Sequence, residues 1–158
     1  VDRLLRLEKQ LAQTASAFRE SVQALNQQEP SQSLTATLSN DCAEFQRRTG
    51  VEAQTLEIGA LPECDEHRAK AIIAVVREAL LNVEKHANAD SVLVSLLPMD
   101  GGIAVSVADD GTGWGESTAA SGIGMQTMRD RVEAVGGTFS VVTNEDGGIT
   151  VRVWMPVA

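Results

Sequence analysis

Within "REALLNVEKHANAD", residues 77–90, four side chains offer an acid, an amide, a cation and an imidazole: Glu78, Asn82, Lys85 and His86. The flanking pattern predicts a helix. At about 100° per residue from Glu78, Asn82 falls at about 40°, Lys85 at about −20° and His86 at about 80°, an arc of about 100°. Ile72, Val76 and Val83 occupy the adjoining arc, and Leu80 and Ile73 close an apolar stripe. One face packs, then, and the other presents a row of unlike polar groups. That set suits a metal-nucleotide. An amide oxygen is a hard ligand for Mg²⁺, which keeps several waters and bridges phosphates. Lys and His donate to phosphate oxygens, and a carboxylate one turn away can orient or deprotonate a nucleophile. The plainer alternative is a solvated face with i,i+4 pairs, for which Asn is a poor mid-helix choice.

Two glycine stretches extend the pattern. In "VADDGTGWG", Asp109 ends a predicted strand, and Gly111 and Gly113 let the backbone turn sharply close to a ligand. A carboxylate there can accept a hydrogen bond from an exocyclic amine such as adenine's. In "SGIGMQTMRDR", Gly122 and Gly124 immediately precede a helix, whose free N–H groups and dipole favour an anion. Taken singly, the first reads equally as an ordinary turn and the second as a flexible loop feeding a helix. The ordered combination carries more: polar-faced helix, strand-D-x-G-x-G, short loop, G-x-G-helix, final hairpin.

Those groups need elements to hold them. Over residues 1–28, Leu4, Leu11, Phe18 and Leu25 recur every seven positions, with Leu7, Ala15 and Val22 widening the stripe. This is the spacing of a coiled-coil or bundle seam, or of an amphipathic helix packing on its own domain. "NQQEPSQS" breaks the pattern at Pro30, giving a linker over 29–32 and a domain over 33–158. In that domain a helix runs from Ser33 to Arg48 and ends near Gly50, and "VEAQTLEI" follows as a strand. Asp65 caps a long helix reaching His86. "DSVLVSLLP" and "GGIAVSVADD" are strands joined at Met99-Asp100-Gly101-Gly102. "MQTMRDRVEAVGG" is a helix closed by Gly136-Gly137, and "TFSVVTN" and "GITVRVWMP" form a last hairpin. The order α-β-α-β-β-α-β-β predicts an α/β two-layer sandwich, with a mixed, mostly antiparallel sheet and about three helices on one face.

Composition sets the outer limits. Of 158 residues 43% are apolar, enough for a core, but only 3% are aromatic, so the core rests on Val, Leu, Ile and Ala. A net charge of −9 argues against nucleic-acid or anionic-membrane binding while leaving room for an anionic ligand in a local pocket. Cys42 and Cys64 lack paired ligand spacing, which favours a reduced cytoplasmic setting over a disulfide scaffold or zinc site. No run has the apolar length of a membrane span, and no signal peptide is expected. The chain opens at Val1 inside a helical pattern and reads as part of something longer.

At these residues the sequence resembles the ATP-binding catalytic domain of two-component sensor histidine kinases, in the GHKL superfamily with its Bergerat-type fold. "REALLNVEKHANAD" looks like the N box, "DDGTG" the G1 box and "GIGM" the G2 box. "GIGMQTMRDRVEAVGG" is similar to the subfamily pairing with NarL-type response regulators, which includes nitrate/nitrite sensors. The resemblance implies ATP and Mg²⁺ as cofactors, with Asn82 on Mg²⁺, Glu78 as base or orienter of the phosphoacceptor, and Lys85 and His86 near the phosphates. It further implies Asp109 on the adenine amine, Gly111 and Gly113 shaping the adenine pocket, and Gly122 and Gly124 hinging a short lid over Gly115–Ser121, with Met125 beside them as a further nucleotide-binding residue. Residues 1–28 look like the second helix of a dimerisation and phosphotransfer domain. The phosphorylated histidine is then expected upstream of Val1, because His86 belongs to the N box and His67 lies outside any phosphoacceptor motif. Implied partners are a NarL-type response regulator and a second copy of the full-length protein, and the implied setting is a cytoplasmic domain anchored at the inner membrane through upstream segments.

The chain departs from the family pattern at its last hairpin. The usual Gly-Thr falls on Gly148-Ile149, and Thr150 follows one position late, on the other face of a strand. Trp114 stands where phenylalanine is common, and there is no separate phenylalanine box. Two rivals follow from the same residues: an anti-sigma-factor-type protein serine kinase sharing the ATP site, and a degenerate nucleotide-binding module, for which the displaced threonine speaks.

Overall fold

The computed structural model describes residues 2–26, 33–113 and 123–157, and the chain divides into two compact units, Val1–Gln32 and Ser33–Ala158. The first unit holds one helix, α1 (Asp2–Asn26). Leu4, Leu5, Leu7 and Leu11 are each more than half exposed on it. The side chains of Phe18, Val22 and Leu25, and the stretch expected as a linker, lie outside the described residues. Among the described residues no helix is long and apolar enough to cross a membrane.

The second unit runs α2 (Leu34–Thr49), β1 (Glu52–Glu57), α3 (Glu66–Asn82), a π turn (Val83–Ala87), β2 (Ser91–Met99), β3 (Gly102–Asp109), α4 (Ile123–Ala134), β4 (Thr138–Thr143) and β5 (Ile149–Pro156). The predicted order is the observed one, and the fold is the expected two-layer α/β sandwich. The sheet order is β1-β2-β3-β5-β4. Among the described residues only the β1–β2 pair is parallel, with α3 as its crossover, while the other three pairs are antiparallel.

Local chemistry explains where the elements stop. The Ser33 side chain accepts from the Ala36 N–H at 3.1 Å to open α2, and Gly50 closes it in the left-handed conformation at φ 77°. Asp65 opens α3, accepting from the Arg68 N–H at 2.9 Å. The exposed His67 sits in that first turn. Past α4, the Gly136 N–H donates to the Glu133 carbonyl and the Gly137 N–H to that of Val132, a Schellman closure. Asp100 and Gly101, at φ 49° and 75°, make the two-residue turn of the β2–β3 hairpin.

Strand parity places the core on one face of the sheet. Val94, Val107 and Val151 share one row, and Leu96, Val105 and Val153 the next, all buried. Over them lie Leu38 and Phe45 of α2, Ile72, Val75, Val76 and Leu80 of α3, and Met128 and Val132 of α4. The opposite face carries Ser95, Ser106, Ser140, Arg152 and Trp154.

Candidate functional site

The helix that bears the polar row is anchored by its apolar stripe. Ala71, Ile72, Val75, Val76, Ala79 and Leu80 are buried, which leaves Glu78 and Asn82 half-buried at the rim. Lys85 and His86 are exposed. The α-helix does not run on to His86 as expected. It ends at Asn82 and continues as one π turn, closed by Asn88 at φ 47° and ψ 48°. The Val83 N–H is shared between the carbonyls of Ala79 and Leu80. The wider turn delivers the Ala87 carbonyl to the glycine loop, where it accepts from the Thr112 N–H at 2.9 Å and the Thr112 hydroxyl at 3.4 Å. A tertiary contact is therefore tied to the change of helix type, and residues in a π turn advance less than 100° each. The wheel positions assigned to Lys85 and His86 do not hold.

Asp109 ends β3 on the helix-covered face, in the row of Val92. It is 5% exposed, and its Oδ1 accepts from the Gly111 N–H at 2.9 Å and from the Ile149 N–H at 3.4 Å. Burial raises its pKa above the ordinary 3.8, opposed by those two N–H groups and reinforced by the neighbouring Asp110 charge. Close approach sets the glycines here. A Cβ on Gly111 would overlap the Ala87 carbonyl, and one on Gly148 would overlap the Asp109 carbonyl. Gly113, at φ 85°, faces the Gly147 carbonyl.

Gly124 is not before α4 as expected but inside its first turn. A Cβ there would stand 2.7 Å from Glu78 Oε1, so the acid of α3 and the G-x-G helix meet. Met125 is buried, 6% exposed, within the core. Gly122, Trp114 and the expected lid over 115–121 lie outside the described residues. The structure thus brings Glu78 against Gly124, and the Asp109–Gly113 loop against the turn that carries Lys85 and His86. At β5, Ile149 faces the core and is 5% exposed. Thr150 lies on the other face and donates to Asn144 Oδ1 at 3.2 Å. The threonine is held away from Asp109, as its parity predicts.

Three features of the site were not anticipated. Asp110 accepts from the Asp90 and Ser91 N–H groups, both at 2.9 Å, and from the Ser91 hydroxyl at 2.8 Å, tying the start of β2 to the end of β3. The Ser91 N–H leads the hydrogen bonds that lower its pKa. Arg48 pairs with Glu84 at 2.6 Å, and Arg77 with Asp41 at 2.8 Å. Partners about 20 or 36 positions apart leave no local signal; only the Asp-Gly pair at Asp110 hinted at a side chain satisfying nearby backbone.

Among the described residues no three His, Cys, Asp or Glu side chains converge. A divalent cation beside Asn82 would therefore have few protein ligands and draw the rest from phosphate and water, the habit of Mg²⁺. The donor set fits that ion.

Residues 67–158 match the sequence model of the family described as histidine kinase-, DNA gyrase B-, and HSP90-like ATPase. The chain is similar to the nitrate/nitrite sensor protein NarQ of Escherichia coli, 33% identical over 150 residues, covering 94% of this chain and 23% of that protein. It is also similar to the sensor histidine kinase MctS of Rhizobium johnstonii, 30% identical over 127 residues, covering 78% of this chain and 27% of that one. The chain thus spans about a quarter of the length of these relatives. Among solved structures, the histidine kinase domain of the Erythrobacter litoralis EL346 blue-light activated histidine kinase superposes with a TM-score of 0.63 at 25% identity, covering 78% of this chain and 61% of that one.

Proposed function

Because the chain belongs to the family of histidine kinase-, DNA gyrase B-, and HSP90-like ATPases, we propose that residues 33–158 form the catalytic domain of a sensor histidine kinase. In this reading the domain binds Mg-ATP between α3 with its π turn and the glycine loops. Bound Mg-ATP supplies a γ-phosphoryl group for transfer to a histidine outside this chain, and from there to an aspartate of a NarL-type response regulator. Asn82 contributes an amide oxygen to the metal, and Lys85 and His86 stabilise phosphate charge. Glu78 orients or deprotonates the accepting imidazole. Asp109 accepts from the adenine amine with the oxygen not committed to Ile149 and Gly111, while Gly111 and Gly113 let the loop backbone lie against the base. Gly122 and Gly124 hinge the lid, and Met125 belongs to the nucleotide-binding set. Phosphoryl transfer needs little covalent help, so these roles are positioning and charge stabilisation. Residues 1–28 are the second helix of a dimerising phosphotransfer domain, and the whole protein works as a homodimer, with this part in the cytoplasm and upstream segments in the inner membrane.

The observation that carries the reading is the buried Asp109 carboxylate, held by two N–H donors in a loop that is itself bonded to the π turn through Thr112 and Ala87. A buried acid at such a junction is a preorganised acceptor rather than a surface ornament. Calorimetric titration with a non-hydrolysable ATP analogue tests it. Micromolar, Mg-dependent binding is expected in the wild type, with Mg dependence lost in Asn82→Ala and the fold intact by circular dichroism. Unchanged Mg dependence in that variant would sink the role given to Asn82.

A further inference from the structure

Two ion pairs reach from α2 to the outer side of the helix that bears the polar row. The Arg77 guanidinium holds Asp41 with two bonds, Nε to Oδ2 at 2.8 Å and a terminal nitrogen to Oδ1 at 3.2 Å. Arg48 donates to Glu84 Oε2 at 2.6 Å, and its guanidinium also lies over the Phe45 ring, 5.9 Å from the centroid. Phe45 is itself buried, and the half-exposed Arg48 side chain lies along it. Seven residues separate Asp41 from Arg48 on α2, and seven separate Arg77 from Glu84. The pairs therefore bracket Glu78 and Asn82, and the second one fastens the π turn immediately before Lys85 and His86.

The polarity of the pairs alternates. The acid belongs to α2 in the first and to the π turn in the second, so sliding one helix along the other by two turns would set Arg48 against Arg77 or Asp41 against Glu84. Like charges in contact penalise that slip. A π turn is a local irregularity that needs tertiary support. It has support on both sides: Thr112 on the Ala87 carbonyl and Arg48 on the Glu84 carboxylate.

We propose that Arg48 and Glu84 are positioning residues of the nucleotide site. Their pair fixes the π turn so that Lys85 and His86 meet the phosphates, with Asp41–Arg77 fixing the preceding turn. This rests on the proposed Mg-ATP reading. It adds that α2, which carries none of the residues assigned to the nucleotide, sets phosphate affinity independently of base recognition.

The test compares two ligands on the 158-residue chain: Mg-AMP-PNP, which needs the phosphate side, and adenosine, which needs only Asp109 and its loop. In Arg48→Ala and in Glu84→Gln, Mg-AMP-PNP binding should weaken about two- to fivefold, the range an exposed, well-seated ion pair commands. Adenosine binding should not change. The reversed pair, Arg48→Glu with Glu84→Arg, should recover most of the loss, and without nucleotide the amides of Val83–Ala87 should exchange faster in the single variants than in the reversed pair. Equal affinities in all variants, or equal losses for both ligands, would overturn the positioning role. A wild type that binds neither ligand up to millimolar concentration would overturn the nucleotide reading itself, a distinguishable result.

Discussion

The two ends of β3 carry the same dipeptide and use it differently. At its start, Asp100-Gly101 forms the hairpin turn, both residues have positive φ, and a Cβ on Gly101 would meet nothing within 4 Å. At its far end, Asp110-Gly111 opens the candidate site. Gly111 is not among the glycines of positive φ, yet a Cβ there would overlap the Ala87 carbonyl. The first glycine is needed for the sign of a dihedral and the second for room. The aspartates differ in parallel: Asp100 is exposed on the turn, whereas Asp110 binds three donors of Asp90 and Ser91. A turn that only reverses the chain leaves space around it, and a turn that builds a site is crowded by backbone from elsewhere in the fold.

Four substitutions test that contrast. The largest effect is expected from Gly111→Ala, because the obstacle is backbone rather than a side chain that can swing away. A loss of about 3 kcal/mol or more in denaturant unfolding is expected, and a loss below about 1 kcal/mol would show that the two glycines are equivalent after all.

Asp109→Asn comes next and should separate stability from binding. The amide keeps an oxygen for the Gly111 and Ile149 N–H groups but loses the buried charge. Nucleotide affinity should fall by about 1.5–3 kcal/mol, the worth of a hydrogen bond to a charged group, while the unfolding midpoint stays equal or rises. The pH dependence has a definite sign. The folded pKa of Asp109 is raised above 3.8, so the cost of its buried charge is present at neutral pH and is relieved as the pH falls through that raised value. Nucleotide binding, which uses the ionised form, should be lost over that same acidic interval, and binding unaffected there would remove Asp109 from the adenine role.

Asp110→Ala should cost about 1 kcal/mol by leaving its donors to water, with little change in nucleotide affinity. Its folded pKa is lowered, so its contribution is present above the ordinary aspartate range and is lost as the pH falls through the depressed value. The pH dependence of unfolding in wild type and variant should diverge above that range and converge below it. Gly101→Ala should cost a comparable amount, about 1 kcal/mol of dihedral strain. It should leave ligand affinity untouched, and a change in affinity would link the two ends of β3 after all.

Much of this architecture was legible in the residues. "DSVLVSLLP" and "GGIAVSVADD" read as strands joined by a turn at Met99–Gly102, and Ser33, Asp65, Gly50 and Gly136-Gly137 mark helix ends where the caps are found. Parity alone predicted that Thr150 turns away from the face of Asp109, and it does. These features depend on near neighbours in the chain, and side-chain period and capping act over a few residues. The π turn was not legible, because "NVEKHANAD" has no local reason to leave the α-helix; the Ala87–Thr112 bond and the Arg48–Glu84 pair accompany it only in the folded unit. The same holds for Asp110, whose partners lie about 20 positions earlier. Residue order alone sets which types stand on which face of the strands and of α3 as far as Asn82. Which backbone atoms press against them follows from packing, since crowding and long-range ion pairs arise only when segments distant in the chain are brought together.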